Sequence, residues 1–168
     1  MTLLFGTTVT LRPLTLADIP RLTEILGQPE VARWWPGYDE ARTRREFLEA
    51  PNVTAFSITV VGELIGSAQY HEEPSRDYRH ASIDIFLDPA WHGKRLGSDS
   101  VRALARHLLY DRGHHRLAID PPAGNAKAIR AYRRVGFKPI GVARSYARDG
   151  SGQWKDAQLM DLLKQDLQ

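Results

Sequence analysis

Three sets of residues in this chain have types and spacings suited to chemistry. The first lies in the run WHGKRLGSDSVRALARHL, Trp91 to Leu108. Gly93, Lys94, Arg95 and Gly97 make a short, positively charged, glycine-bearing loop, after which Val101, Leu104, Ala105 and Leu108 recur at helical spacing. Such a loop aims successive backbone N–H groups one way, at the positive end of a helix dipole, which suits a phosphate-bearing ligand. The second set is a pair of isolated carboxylates. Asp84 stands between isoleucines in HASIDIFL (80–87), where an unpaired charge in a central strand is costly. Asp120 ends a short apolar run just before Pro121-Pro122, a place for turn initiation. The third set is Asn125, a helix N-cap by type and position, with Tyr132 two turns along the same helix.

The elements that must hold these residues follow from periodicity. Thr8 to Leu14 alternates as a strand closed by Pro13. Asp18 caps a helix running to Gly27, with Ile19, Leu22, Ile25 and Leu26 on one face. Pro29 to Trp34 reads as a shorter helix, Trp34 to Gly37 as a loop, and Glu40 to Leu48 as a polar helix. Phe56 to Val61 and Leu64 to His71 read as a hairpin turning at Gly62-Glu63. His80 to Leu87 alternates again, with Ile83, Ile85 and Leu87 on one face and Ser82, Asp84 and Phe86 on the other. The loop and its helix come next, with Gly113 as C-cap; then a strand at Leu117 to Asp120, a helix at Asn125 to Val135, and strands at Phe137 to Arg144 and Gln158 to Leu163. The order predicts one α/β domain over residues 1–168: a mixed sheet with a parallel centre and helices on both faces.

Bulk properties narrow the function classes. The net charge is +3, from 23 Lys and Arg against 20 Asp and Glu, and the basic residues are interspersed rather than run together. That pattern gives no reason to expect nucleic acid as a partner. No apolar stretch is long enough to span a bilayer and the N-terminus lacks the layout of a signal peptide, so no membrane partner and a cytoplasmic location are expected. With no cysteine there is no disulfide framework and no thiolate nucleophile. The histidines are scattered, and His114-His115 follow a helix end; no metal site is expected.

With these motifs in place, the chain resembles the GCN5-related N-acetyltransferase superfamily over nearly its full length, most closely its aminoglycoside 6'-N-acetyltransferases. The superfamily loop, Gln/Arg-x-x-Gly-x-Gly/Ala, is filled by His92-Gly93-Lys94-Arg95-Leu96-Gly97, with His92 and Arg95 departing from the pattern. The closer likeness rests on VARWWPG (31–37), IGSAQY (65–70), SIDIFLDP (82–89) and DPPAGNAKAIRAYRRVGF (120–137). The fold this implies is mostly antiparallel, with a parallel, splayed centre between the family's fourth and fifth strands, here 80–87 and 117–120.

The resemblance also assigns roles. Acetyl-CoA is the implied cofactor, its pyrophosphate on backbone N–H groups from Lys94 to Ser98 and Arg95 available to pair with a phosphate. His92 and Gly93 complete that loop. The strand ending in Phe86 and Leu87 is expected to carry a bulge and to offer free backbone groups to the pantetheine arm, with the Leu87 N–H as an oxyanion donor. Asn125 and Ala128 on the next helix complete the coenzyme side, and Tyr132 matches the tyrosine that protonates the departing sulfur. Asp84 matches the carboxylate that binds the acceptor ammonium and relays its proton. Asp120, Trp34, Trp35, Tyr70 and Glu72 are the further expected acceptor contacts. The implied partner is a small cationic amine, bound by a monomer or homodimer, and the consequence would be drug inactivation or self-protection. Two other readings fit: acetylation of a peptide N-terminus or of a siderophore-type lysine, and, in another class, a non-catalytic acyl-CoA-binding module.

Overall fold

The computed structural model describes residues 1–168. The strands are β1 (Leu4–Phe5), β2 (Thr10–Pro13), β3 (Val53–Val60), β4 (Glu63–Glu72), β5 (Ala81–Leu87), β6 (Arg116–Ile119), β7 (Lys138–Arg148) and β8 (Trp154–Leu163). The helices are α1 (Ile19–Leu26), α2 (Pro29–Ala32), α3 (Glu40–Arg44), α4 (Leu96–Arg106) and α5 (Ala126–Val135). All eight strands join one sheet, in the order β1-β2-β3-β4-β5-β6-β8-β7. Only β5 and β6 run parallel. This is the mostly antiparallel sheet with a parallel centre that the resemblance implied.

Strand alternation sorts side chains between two cores. Ile83 of β5, Leu117 and Ile119 of β6, and Val101, Leu104 and Val135 of α4 and α5 fill the larger one. On the opposite face Phe86 joins Leu22, Ile25 and Leu26 of α1 and Phe47 just past α3. Helices therefore cover both faces, as the alternation in 80–87 requires. No helix is long and apolar enough to cross a membrane.

Several boundaries differ from the sequence reading. The β3–β4 turn falls on Val61 (φ +48) and Gly62 (φ +82), closed by the Val60↔Glu63 pair, one residue earlier than Gly62-Glu63. Two positive φ values are what a two-residue turn between twisted strands requires, and a fully exposed Val61 tolerates one of them. Leu4–Phe5 forms an unanticipated first strand, paired with Leu11 and Thr10. The closing hairpin is longer than expected on both arms.

One buried carboxylate fixes where α4 begins. Asp99 accepts from the N–H groups of Thr7 (2.8 Å), Thr8 (2.8 Å) and Val9 (3.1 Å). Burial opposes its charge, yet the three donors hold its pKa below the usual carboxylate value. Gly6 lets the N-terminal turn come this close, since an added Cβ would lie 2.6 Å from Asp99 Oδ2. The start of α4, and the loop before it, are thereby tied to the β1–β2 turn.

The functionally important feature is that β5 and β6 part. They are in register only at Ala81↔Leu117 and Ser82↔Ala118. Beyond Ile119 the chain stays with β8 instead: Gln158 N–H donates to Pro121 C=O and Ala123 N–H to Asp156 C=O, both at 2.8 Å. A wedge opens between the C-terminal ends of the two parallel strands.

Candidate active site

The wedge has a backbone wall. β5 pairs with β4 without a register shift, from Glu72↔Ala81 to Gly66↔Leu87, so the expected bulge in this strand is absent from its pairing. Asp88 N–H continues the ladder to Ile65 C=O at 2.8 Å. In an antiparallel ladder hydrogen-bonded pairs alternate with non-bonded ones, so Ile85 and Leu87 turn their N–H and C=O groups away from β4. Because β6 has left, those groups face the wedge. Splay alone exposes them. Gly66 keeps the ladder tight at this end, since an added Cβ would meet Phe86 O at 2.2 Å.

The glycine-bearing loop stands at the wedge's mouth. No backbone N–H from Gly93 through Ser98 donates within the chain; the first to do so is that of Asp99, to Arg95 C=O at 3.1 Å. These groups sit at the N-terminus of α4, where the dipole adds to their positive potential. Arg95, in place of the family's first glycine, adopts φ +60 and ψ +14. The loop therefore keeps the left-handed turn that glycine makes freely, at a strain of about 1–2 kcal/mol. A side chain at Gly97 would meet Leu87 Cδ1 at 3.6 Å, ordinary contact, which explains why the pattern admits Gly or Ala there. His92 places Nε2 at 2.9 Å from Leu87 C=O, linking loop and strand end. Lys94 Nζ rests 4.7 Å from the Trp91 ring centroid, and the side chain of Leu96 lies in the core, leaving only its backbone to the loop.

On the α1–α3 face of the wedge the two carboxylates come together. Asp84 and Asp120 each lie two residues beyond the Ser82↔Ala118 pair, at matching positions on the parting strands. Burial pushes the Asp84 carboxyl up, to about 6, and the Asp120 charge adds to this while His71 works against it. Tyr132 of α5, 8 % exposed, is held firmly as a neutral phenol by burial and then by the Asp84 and Asp120 charges. Asn125 caps α5 by accepting from Ala128 N–H at 3.3 Å, which places both at the N-terminal end of that helix.

The tryptophan pair divides. Trp35 packs its ring 5.4 Å from Phe86 and 6.0 Å from Phe47, within an aromatic cluster that includes Tyr38. Trp34 reaches the other way, its ring 3.9 Å from where a Gly124 side chain would begin, beside the turn after Asp120. Arg33 lies over it at 4.3 Å. The β7–β8 hairpin closes the rim, Gly150 approaching Pro36 and Ala32.

Two expected acceptor residues are not here. Tyr70 is 5 % exposed in the larger core, opposite Ile83, and so lies on the face away from Asp84. Glu72 shares that parity and is engaged by Arg112 (2.8 Å) and buried His114 (2.7 Å), at the closed end of the wedge. In a strand an offset of one residue exchanges faces. The β4 residues that share Asp84's face are Gln69, paired directly with it, and His71, whose Nδ1 is 3.6 Å from Asp84 Oδ2. Both are legible once the register is known, since 69 pairs with 84; the sequence alone does not fix that register.

Comparison with known proteins bears on the family and the fold. Residues 8–138 match the acetyltransferase (GNAT) domain family. Aminoglycoside N(6')-acetyltransferase type 1 of Klebsiella pneumoniae is 33% identical over 153 residues, covering 80% of this chain and 76% of that protein. N-alpha-acetyltransferase RimI of Mycobacterium tuberculosis is 32% identical over 145 residues, covering 83% and 85%. Among solved structures, the aminoglycoside acetyltransferase AAC(6')-Ib in complex with coenzyme A and kanamycin superposes with a TM-score of 0.80 at 29% identity, over 95% of this chain and 96% of that one.

Proposed function

The chain belongs to the GNAT acetyltransferase family, and from that premise we propose that it moves the acetyl group of acetyl-CoA to a primary amine of an aminoglycoside-like, multiply charged acceptor, with both bound at once. The observation that carries this reading is the side-by-side placement of Asp84 and Asp120 in the wedge, within a chain of net charge +3. Two carboxylates converging where nothing in the fold needs them suit an acceptor with more than one positive charge. A peptide N-terminus, with one, needs only Asp84.

The residues fit the coenzyme. Unpaired N–H groups from Gly93 to Ser98 would hold its diphosphate, and the freed edge of β5 would pair with its pantetheine amides. When bound, acetyl-CoA supplies a thioester carbonyl to the acceptor nitrogen. Leu87 N–H faces the wedge, where it would donate to a thioester carbonyl oxygen. Asp84 pairs with the arriving ammonium and takes its proton. A primary amine of pKa about 8 to 10 gives a proton to an ordinary aspartate some 4 to 6 units uphill. The raised Asp84 pKa, from burial and then the Asp120 charge, shortens that climb. Tyr132, kept protonated, would donate to the departing sulfur and recover a proton from the second one the nitrogen sheds as the amide forms, so that amide and free thiol leave with Tyr132 neutral again.

Release of coenzyme A thiol, measured with aminoglycosides, diamines and N-terminal peptides offered in parallel, tests the reading. We expect turnover on aminoglycosides, lowered roughly 10- to 100-fold in Tyr132→Phe with coenzyme affinity retained. Activity confined to peptides would overturn the acceptor assignment.

A further inference from the structure

Asp120 is held by a contact that the carboxylate pair does not itself explain. Tyr146 Oη donates to Asp120 Oδ2 at 2.6 Å, while Oδ1 has no partner in the chain. Regular strand pairing does not deliver that phenol. β7 and β8 are in register at Ala143↔Ala157 and again at Ala147↔Lys155, so Arg144, Ser145 and Tyr146 together stand opposite Asp156. Ser145 sits at φ +47, a left-handed conformation that a serine seldom adopts, and its N–H donates to Asp156 Oδ1 at 2.8 Å. Asp156 also accepts the Ala123 N–H on its backbone C=O at 2.8 Å. One β8 residue therefore pins both the bulge carrying Tyr146 and the turn that follows Asp120. Bulges re-aim side chains, and a strained backbone persists where its surroundings over-determine it.

A carboxylate at a strand end rotates freely, and beside a second carboxylate it turns away from it. The phenol removes that freedom. We infer that Tyr146 is a positioning residue for acceptor selectivity: by occupying Asp120 Oδ2 it presents Oδ1 to a second ammonium of the acceptor, while Asp84 takes the reacting one. This rests on the function proposed above. An acceptor with a single amine gains nothing from the arrangement.

The test compares steady-state kinetics on kanamycin, with several amines, and on glucosamine, with one. Tyr146→Phe is expected to lower the ratio of kcat/KM for kanamycin over glucosamine about tenfold, through the KM for kanamycin rather than kcat. Because Tyr146 acts through Asp120, adding Tyr146→Phe to Asp120→Asn should lower that ratio no further. An unchanged ratio in the single variant, a loss confined to kcat, or additive losses in the double variant would overturn the inference while leaving the functional reading standing. A wild-type protein with no preference for kanamycin would overturn that reading, and this inference with it.

Discussion

Asp84→Asn is expected to reduce turnover about 10²- to 10³-fold, with the affinity for coenzyme A unchanged within a factor of two. The asparagine keeps the shape and cannot take a proton, so the loss falls on kcat. In the proposed reading coenzyme binding rests on the unpaired N–H groups of the loop at Gly93 to Ser98, not on Asp84. The pH dependence follows from the shift. Burial and the Asp120 charge push the wild-type carboxyl up, to about 6, and in the proposed mechanism only its ionised form would accept the ammonium proton. Thus kcat/KM should rise as pH climbs through about 6, and an acid limb near 4 would show that Asp84 is not the group responsible.

Asp120→Asn is expected to raise the KM for a multiply charged acceptor about 10- to 100-fold, again with coenzyme affinity retained. It should also move the acid limb. The Asp120 charge pushes the Asp84 carboxyl up; removing that charge lets the Asp84 pKa fall, so the limb shifts to lower pH. Equal losses in acceptor and coenzyme affinity, or a limb displaced upward, would contradict the assignment. The two readouts separate binding from proton transfer, which a general loss of structure would affect together.

Much of this was legible in the chain itself. The loop and its helix announce their own structure, since Gly93, Gly97 and the apolar spacing of α4 are local signals. Asp84 stands out because a charge between isoleucines demands a reason. What could not be read depends on pairing between distant segments. Tyr70 and Glu72 were expected at the acceptor site, but the 69↔84 register gives that face to Gln69 and His71. Tyr146 carries no local mark, because its direction is set by a bulge that only the pairing with β8 defines. The missing bulge in β5 has the same origin: parting from β6 frees the backbone there without one. Arg95 is the reverse case, a sequence departure that the backbone absorbs by keeping the turn.

A crystal structure of the chain with coenzyme A bound tests the central claim most directly. The account predicts the diphosphate within hydrogen-bonding distance of the backbone N–H groups of Gly93 to Ser98, and the thiol between Leu87 and Tyr132 in the opening between β5 and β6. A coenzyme seated elsewhere, or an opening filled by side chains when the coenzyme is present in excess, would contradict it.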